Sequence, residues 1–311
     1  MIAAQQSDAA SAARHAAIKK AFITSCRDEV EAPKPGNVHV FSEGHGMTVE
    51  QFLRSADAAA APLCAPGAAV GARILGAVEA TFARVGLNTN LGIILLCAPL
   101  AAAAEFSRTA VAPCDAASDI TVTREDALAA ALEATLVKLS RDDAQSAFAA
   151  IVIASPGGLG AASRHDVRAP AQTTLLDAMR EAAPRDAIAR QYANGFADVF
   201  GLGLRALAAA RGKGWGAPWL AVAVYLDFLA EFPDSHIARK YGIEAAEAVR
   251  DEAAPLRDAF AVSVDPANFR QNLLAFDRSL KVAGRNPGTS ADLTVATLFA
   301  NRLINLDYAR Q

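Results

Sequence analysis

Residues 91–104 read Leu-Gly-Ile-Ile-Leu-Leu-Cys-Ala-Pro-Leu-Ala-Ala-Ala-Ala and form the most apolar stretch of the chain. A helix that crosses a membrane needs about 20 consecutive apolar residues, so this stretch is too short to span a bilayer. It predicts instead a helix buried in a protein core. We expect a kink at Pro99, because proline lacks the backbone N–H that a helical hydrogen bond needs.

The composition extends this prediction to the whole chain of 311 residues. Hydrophobic residues make up 53% of the sequence, and alanine supplies much of that fraction. Aromatic residues make up only 6%. Alanine is the best intrinsic helix former, and so apolar a chain does not stay disordered. We therefore predict an all-α fold, with a single compact multi-helix domain over residues 1–311.

Helix signals recur along the chain. Thr48 with Gln51, and Thr123 with Asp126, have the spacing of N-terminal capping boxes. A buried strand is the alternative for residues 151–153, which are β-branched, but the length of the segment favours a helix. We predict helices over residues 9–30, 48–61, 67–85, 91–106, 123–139, 142–154, 173–182, 187–200, 218–232, 237–254, 266–282 and 291–306.

The longest predicted loop, residues 155–170, contains Pro156-Gly157-Gly158 and is typical of a lid or binding loop.

The net charge, the cysteines and the absence of a long apolar run indicate which partners and which cellular location to expect. A net charge of −3 argues against nucleic acid as a general partner. The chain has no membrane-spanning run and no ordered signal sequence, and its four cysteines lack zinc-type spacing. We expect free thiols, a cytoplasmic location and small-molecule partners. A homodimer is left open.

Two turns set polar side chains on a Pro-Gly frame. The first reads Lys34-Pro35-Gly36-Asn37, and the second runs from Arg285 through Asn286-Pro287-Gly288-Thr289-Ser290 to Asp292. Lysine offers a point charge to phosphate, and asparagine both donates and accepts hydrogen bonds. The alternatives are a plain helix terminator at the first turn and a helix cap of Thr289 with Asp292 at the second.

Three further motifs have both a structural and a functional interpretation. Asn88-Thr89-Asn90 either caps the apolar helix or binds phosphate at its positive end. Asn194 and Asp198 lie four residues apart and would share one face of a predicted helix around Gly195. Arg239-Lys240 follow the cap candidates Asp234 and Ser235, where cations near a helix N-terminus favour a bound anion.

Taken in order, these motifs resemble the triphosphoribosyl-dephospho-CoA synthase family. The matching residues are Glu29-Val30, Pro33 to Gly36, Asn88-Thr89 before Gly92, Gly195-Phe196, Asp234 with Arg239, and Pro287-Gly288 with Ser290 to Leu293. Members of the family are all-helical enzymes that take ATP and dephospho-CoA. They release adenine and join the triphosphorylated ribose to the 2′-hydroxyl of the acceptor, which makes the precursor of the prosthetic group of decarboxylase acyl carrier proteins.

The resemblance implies roles for particular residues. Carboxylates near the ribose–adenine bond would stabilise positive charge and handle a proton, and we expect Asp292, Asp234 and Asp198 in these roles. Glu29 and Asp234 are the expected ligands of the Mg²⁺ that accompanies ATP. The expected substrate and phosphate contacts are Lys34, Asn37, His39, Asn88, Thr89, Asn90, Arg239, Lys240, Arg285, Asn286, Gly288 and Ser290.

The chain departs from the family pattern at three points. His39 stands where the family has aspartate, His45-Gly46-Met47 lacks an acid, and Asn90-Leu91 replace a histidine and a basic residue. These departures motivate two alternatives. One is a divergent relative in the biosynthesis of another cofactor, such as a one-carbon carrier of the methanofuran or methanopterin type. The other is a non-catalytic nucleotide-binding helical protein.

Overall fold

The computed structural model describes residues 2–107, 123–161 and 164–306, and α-helices dominate these ranges. Within them lie a π-helix (Val199–Gly203), a 3₁₀ helix (Pro266–Phe269) and isolated β-bridges, but no strand. The all-α prediction is confirmed. The helices are α1 (Ile2–Glu31), α2 (Val49–Leu63), α3 (Val70–Val85), α4 (Leu91–Phe106), α5 (Arg124–Val137), α6 (Arg141–Ala154), α7 (Leu175–Ala182), α8 (Ala187–Asn194), α9 (Leu204–Gly212), α10 (Trp219–Glu231), α11 (Ser235–Tyr241), α12 (Ile243–Ala261), α13 (Arg270–Val282) and α14 (Gly288–Ile304).

Helix α4 is the buried centre of the fold, as its sequence predicts. Nearly every residue from Leu91 to Ala104 is buried. Helix α14 packs against α4, while α3 and α5 cover other sides of α4 and α1 and α10 cover α14. A single cluster of buried apolar residues runs through these helices. Alanine at many contact positions allows the close approach that so helical a core requires.

Pro99 lies inside α4 and has a structural partner in α8. Without an N–H on Pro99, the carbonyl of Leu95 loses its partner in the helical ladder. The hydroxyl of Tyr192 donates to that carbonyl at 2.6 Å, and Tyr192 is itself buried. The proline of the apolar stretch therefore fixes where α8 sits on α4.

The predicted helix starts at Thr48 and Thr123 are confirmed. Each side chain accepts a hydrogen bond from the residue three positions on, and the reciprocal bond is present in both. Residues 151–153 belong to α6, which Ser140 caps together with Asp143. The helix predicted there from the length of the segment is therefore confirmed.

Glycine interrupts two predicted helices. The predicted helix over residues 187–200 ends at Asn194, because Gly195 and Phe196 both adopt positive φ angles of 68° and 64°. Asn194 and Asp198 therefore do not share a helical face, and that interpretation was wrong. Similarly, Gly242 with φ of 89° separates α11 from α12.

Helix α14 begins earlier than predicted, at Gly288 instead of Ala291. Thr289 is therefore inside the helix, and its hydroxyl accepts a hydrogen bond from the backbone N–H of His236 at 3.2 Å. The predicted cap of Thr289 with Asp292 was wrong. Asp292 is left without a capping role.

No helix in the described ranges is both long enough and apolar enough to cross a membrane.

Candidate active site

A cavity of about 1030 Å³ opens between the helices. Small-molecule sites usually have volumes of roughly 300–1,000 Å³, so this cavity has room for a large ligand or two smaller ones. The N-terminal ends of α4, α7, α8, α11 and α14 line it, together with much of the loop between α6 and α7. This is the loop that the sequence predicts to be a lid or binding loop, and that role stays a prediction.

The two Pro-Gly turns meet at the floor of the cavity. The side-chain amide of Asn37 donates to Asn286 Oδ1 at 2.9 Å, and both asparagines are buried and line the cavity. Gly36 has φ of 81°, and a Cβ on it would lie 2.8 Å from Pro287 Cδ. Glycine is therefore required at the point where one turn rests on the other.

Lys34 holds the first turn from inside. Its Nζ donates to Asn37 Oδ1 at 2.8 Å and to the carbonyl of Val38 at 3.1 Å, and it pairs with Glu29. An ammonium has three donors, and all three are used. Burial lowers the pKa of Lys34 and raises that of Glu29. The attraction between the two charges opposes both pKa shifts but does not cancel them. Glu29 lines the cavity and Lys34 does not.

A charged cluster beneath the first turn contains His39. Its Nε2 lies 3.4 Å from Asp277 Oδ1, and Lys281 Nζ lies 2.9 Å from the same oxygen. Asp277 also accepts the backbone N–H of Gly36 at 2.9 Å. Burial opposes ionisation of Asp277, but His39 and Lys281 outweigh it and lower its pKa. His39 is fully buried, does not line the cavity and supports the turn.

Asp292 projects into the cavity from the second turn of α14. Its carboxylate lies against the backbone of Gly92 at the start of α4, where a Cβ would overlap Asp292 Oδ2. The described residues donate no hydrogen bond to it. Burial raises the pKa of Asp292 well above its usual range, and the nearby carboxylates of Glu29 and Asp234 add to this shift. Asp292 is thus a carboxylate with unused oxygens.

Asp234 has a different environment. Its Oδ1 accepts the backbone N–H groups of His236 and Ile237, and its Oδ2 accepts the backbone N–H and the hydroxyl of Ser290. These four bonds fill the capacity of a carboxylate. Burial raises its pKa, although the same bonds oppose the shift. Asp234 caps α11 and ties it to α14.

The Asn88-Thr89-Asn90 segment forms the cavity wall at the start of α4. Asn88 Oδ1 accepts the backbone N–H of Leu91 at 3.2 Å, and Thr89 donates to Ser55 Oγ at 2.6 Å. Asn90 makes no capping bond, and its Nδ2 is buried without a hydrogen-bond partner. A buried donor without a partner costs free energy, which a hydrogen bond from this amide to a ligand would offset.

Arg239 connects the cavity wall to the loop. Its Nε donates to the carbonyl of Gly157 at 3.0 Å, and its Nη1 lies 3.5 Å from Asp186 Oδ2, in the residue that caps α8. His236 also lines the cavity, and burial together with Arg239 and Lys240 lowers its pKa to about 3. At neutral pH its imidazole is uncharged.

Six predicted site residues do not line the cavity: Lys34, His39, Asp198, Asp234, Arg285 and Ser290. Lys34, His39, Asp234 and Ser290 make the internal contacts described above, and the other two have partners of their own. Asp198 Oδ2 accepts hydrogen bonds from Arg190 at 2.9 Å and from Gln191 at 2.6 Å, and the residue does not line the cavity. The guanidinium of Arg285 stacks on the ring of Tyr241 at 4.1 Å and is also outside the lining.

Sequence reasoning assigns no site role to the cavity residues Arg185 and Asp186 or to the buried Asp277. Arg164 and His236 lie in segments that the sequence singles out, but neither is given a role of its own. Charged residues on loops and amphipathic helices carry no local signal for a site. Their convergence depends on the packing of distant helices.

The family model for ATP:dephospho-CoA triphosphoribosyl transferases matches residues 15–311. The chain belongs to this family. It is therefore an ATP-dependent transferase of the triphosphoribosyl-dephospho-CoA synthase type, and the family assignment made from the motifs is confirmed. The comparisons do not favour the alternatives of another cofactor pathway or a non-catalytic protein.

A solved structure of an Archaeoglobus fulgidus protein, provisionally named a triphosphoribosyl-dephospho-CoA synthase, has a similar fold. The TM-score is 0.59 and the identity 23%, with 80% of this chain and 97% of the other covered. No curated protein matches the chain.

The three departures from the family pattern fall in different places in this triphosphoribosyl transferase. Asn90 and Leu91 line the cavity, as do His45 and Met47, whereas His39 lies beneath the turn. The departures at His45 to Met47 and at Asn90-Leu91 therefore change residues that a ligand can contact. The departure at His39 changes a residue that supports the turn.

The two predicted metal ligands differ in the oxygens that they leave free. Among the described residues, no group of three or more His, Cys, Asp or Glu side chains is arranged to hold a metal ion. Asp234 has no free oxygen, so it is unsuited to metal binding in this conformation. Glu29 and Asp292 remain the carboxylates on the floor. Mg²⁺ in nucleotide sites needs only one or two carboxylates besides the phosphates, so these two fit a metal that arrives with ATP.

Proposed function

We propose that this cavity transfers the triphosphoribosyl group of ATP to the ribose 2′-hydroxyl of dephospho-CoA and releases adenine. The observation that carries the proposal is the carboxylate of Asp292, which lies inside the cavity with unused oxygens beside Glu29 and the start of α4. Asp292 is partly buried, and no described residue donates a hydrogen bond to its carboxylate, so the fold of these residues shows no structural use for it.

The reaction breaks the bond between ribose C1′ and the adenine nitrogen and forms a bond between C1′ and the acceptor oxygen. Positive charge develops on the ribose as adenine leaves, and a nearby carboxylate stabilises it. The acceptor hydroxyl loses its proton, and the departing adenine gains one. A carboxyl group with a raised pKa is a better proton acceptor than an ordinary aspartate, which suits Asp292 to this transfer.

The phosphates require positive partners, which the cavity supplies from several elements. The starts of α4 and α14 contribute the positive ends of their dipoles. Asn88, Asn90 and Asn286 add amide donors, and Arg239 adds a charge. We infer that Lys34, Asn37, Gly288 and Ser290 contribute by shaping this wall, since Lys34 and Ser290 are committed to internal bonds.

Mg²⁺ accompanies ATP in this proposal. Glu29 would hold it through a carboxylate oxygen, and the ion would neutralise charge on the phosphates, which leaves Asp292 free for the proton transfer.

Cys26, Cys64 and Cys97 are free and buried, and burial raises the pKa of each thiol. Cys114 lies outside the described residues. Unpaired thiols fit a reducing compartment, so we propose a cytoplasmic enzyme.

The Asp292→Asn variant tests the proposal. With ATP, Mg²⁺ and dephospho-CoA, the wild-type enzyme should release adenine, and the variant should do so at least about 100-fold more slowly. Wild-type activity should rise with pH as Asp292 ionises, and the variant should lack this step. Asp198→Asn is the matched control, because its carboxylate lies outside the cavity lining. Retention of activity by Asp292→Asn would exclude the assigned role.

The same variant has a predicted effect on stability. A raised pKa in the folded state means that Asp292 stabilises the fold when protonated and that this contribution is lost as the pH rises through that pKa. Asp292→Asn should therefore raise the thermal unfolding midpoint at pH 8 but not at pH 4. A lower midpoint at pH 8 would contradict the assignment of a raised pKa.

A further inference from the structure

Three cations form an exposed rim around the cavity, above its buried floor. Arg164 comes from the loop between α6 and α7, Arg185 from the turn before α8, and Lys240 from the end of α11. All three line the cavity and are exposed to solvent. The floor residues Glu29, Asn37 and Asn286 are buried. The rim therefore meets parts of a ligand that extend away from the reacting atoms.

Internal contacts leave the rim charges available. Arg164 Nη1 lies 3.7 Å from Glu181 Oε2, and the arginine side chain is 69% exposed. Among the residues that the structure describes, Arg185 donates only to the backbone carbonyl of Glu181, at 3.2 Å. Lys240 has no hydrogen bond or ion pair to any described residue. Exposed pairs of this kind contribute roughly 0–1 kcal/mol, so an anionic ligand competes with them easily.

Apolar side chains flank the rim. Met179 and Ala182 of α7 line the cavity just before Arg185, Val167 follows the Arg164 segment, and Ile243 follows Lys240 with 55% of its surface exposed. Charged and apolar side chains are thus near neighbours in this part of the cavity lining. The ligand that fits such a lining carries phosphate close to an extended, partly apolar chain.

The two reactants differ in this respect. ATP ends at its terminal phosphate, where its charge is greatest. Dephospho-CoA carries a diphosphate between its ribose and a long pantetheine arm that has apolar segments. Only the acceptor therefore places phosphate and apolar chain side by side.

We propose that Arg164, Arg185 and Lys240 bind the diphosphate of the acceptor and select acceptors that carry a diphosphate with an arm. This inference rests on the proposed function. It assigns to the rim the discrimination between dephospho-CoA and smaller nucleosides. The bond-breaking and bond-forming steps take place at the buried floor of the cavity.

The test compares Arg185→Gln, Lys240→Gln and the double variant with wild type. Each single variant should raise the KM for dephospho-CoA about 5-fold and the double variant about 20-fold, as expected for exposed charge–phosphate contacts. The KM for ATP and the kcat should remain within about 2-fold. Arg180→Gln is the matched control, since Arg180 is exposed on α7, pairs with Asp177 and does not line the cavity.

A second measurement uses acceptors without the arm. Adenosine, AMP and ADP should be poorer acceptors than dephospho-CoA in the wild type, and the double variant should lose most of the preference for dephospho-CoA over adenosine. An unchanged preference, or a rise in the KM for ATP alone, would overturn the inference. Absence of adenine release by the wild type would instead refute the proposed function itself, so the two failures are distinguishable.

Discussion

Gly92 shows how one residue sets the position of a catalytic candidate. It lies in the first turn of α4, where the carboxylate of Asp292 rests against its Cα. Any side chain at this position would occupy the space of Asp292 Oδ2, and its Cβ would also lie only 2.8 Å from Ile188 Cδ1. Glycine is therefore needed to admit the carboxylate, and not for an unusual backbone angle.

The Gly92→Ala variant should displace Asp292 by a fraction of an ångström to an ångström. Misplacement of a reacting group by about 1 Å lowers rates about 100-fold, so adenine release should fall by that order. Gly212→Ala in α9 is the matched control, because a Cβ there meets no atom within 4 Å. Full activity of Gly92→Ala would show that the position of this carboxylate does not matter.

At the scale of elements, α13 clamps the Lys34–Asn37 turn to the rest of the site. Asp277 on α13 accepts the N–H of Gly36, and Lys281 donates to the carbonyl and hydroxyl of Ser42 at 2.8 Å. His39 completes the clamp opposite Asp277. The family residue, an aspartate, would meet the same carboxylate here. His39 and Asp277 are thus a matched pair in this chain.

The His39→Asp variant should place two carboxylates side by side without water. We expect a loss of about 3 kcal/mol in the free energy of unfolding, measured with urea, because uncompensated buried charge is strongly destabilising. His39→Asn removes the ring without adding charge and should cost less. Asp277→Asn in the His39→Asp background should restore part of the loss. A neutral effect of His39→Asp would argue against this clamp.

At the scale of the whole molecule, the cavity joins elements that are far apart in sequence. Its lining extends from Glu29 of α1 to Asp292 of α14 and includes the starts of several helices between them. A ligand bound there connects both halves of the chain. Ligand binding and the global free energy of unfolding are consequently coupled.

Saturating Mg²⁺–ATP should therefore raise the thermal unfolding midpoint. A ligand at 100 times its Kd adds about 2.7 kcal/mol, and each kcal/mol shifts the midpoint of a chain of about 300 residues by about 1.5 °C. Differential scanning calorimetry should show a rise of about 4 °C with ATP. The Asp292→Asn variant should respond similarly, because Asp292 acts mainly in the chemical step. No shift at millimolar ATP would indicate that the cavity does not bind this nucleotide.

The sequence by itself determined the helical fold, its buried centre and most helix starts. Alanine content, apolar periodicity and capping patterns are local properties. The buried helix α4 and the capped starts of α2 and α5 illustrate how directly they act. Local signals also identified both Pro-Gly turns and the family. They failed at Gly195 and Gly242, where a positive φ ends a helix that composition alone would continue.

Only the tertiary structure decided which polar residues face the cavity. The sequence predicts catalytic roles for three aspartates, but their contacts differ. Asp292 has unused oxygens, all acceptor positions of Asp234 are occupied by hydrogen bonds, and Asp198 lies outside the cavity lining. His39 is a departure from the family whose place beneath the turn depends on Asp277, more than 200 positions away. Burial and hydrogen-bond capacity are properties of contacts between distant segments, so no local pattern encodes them.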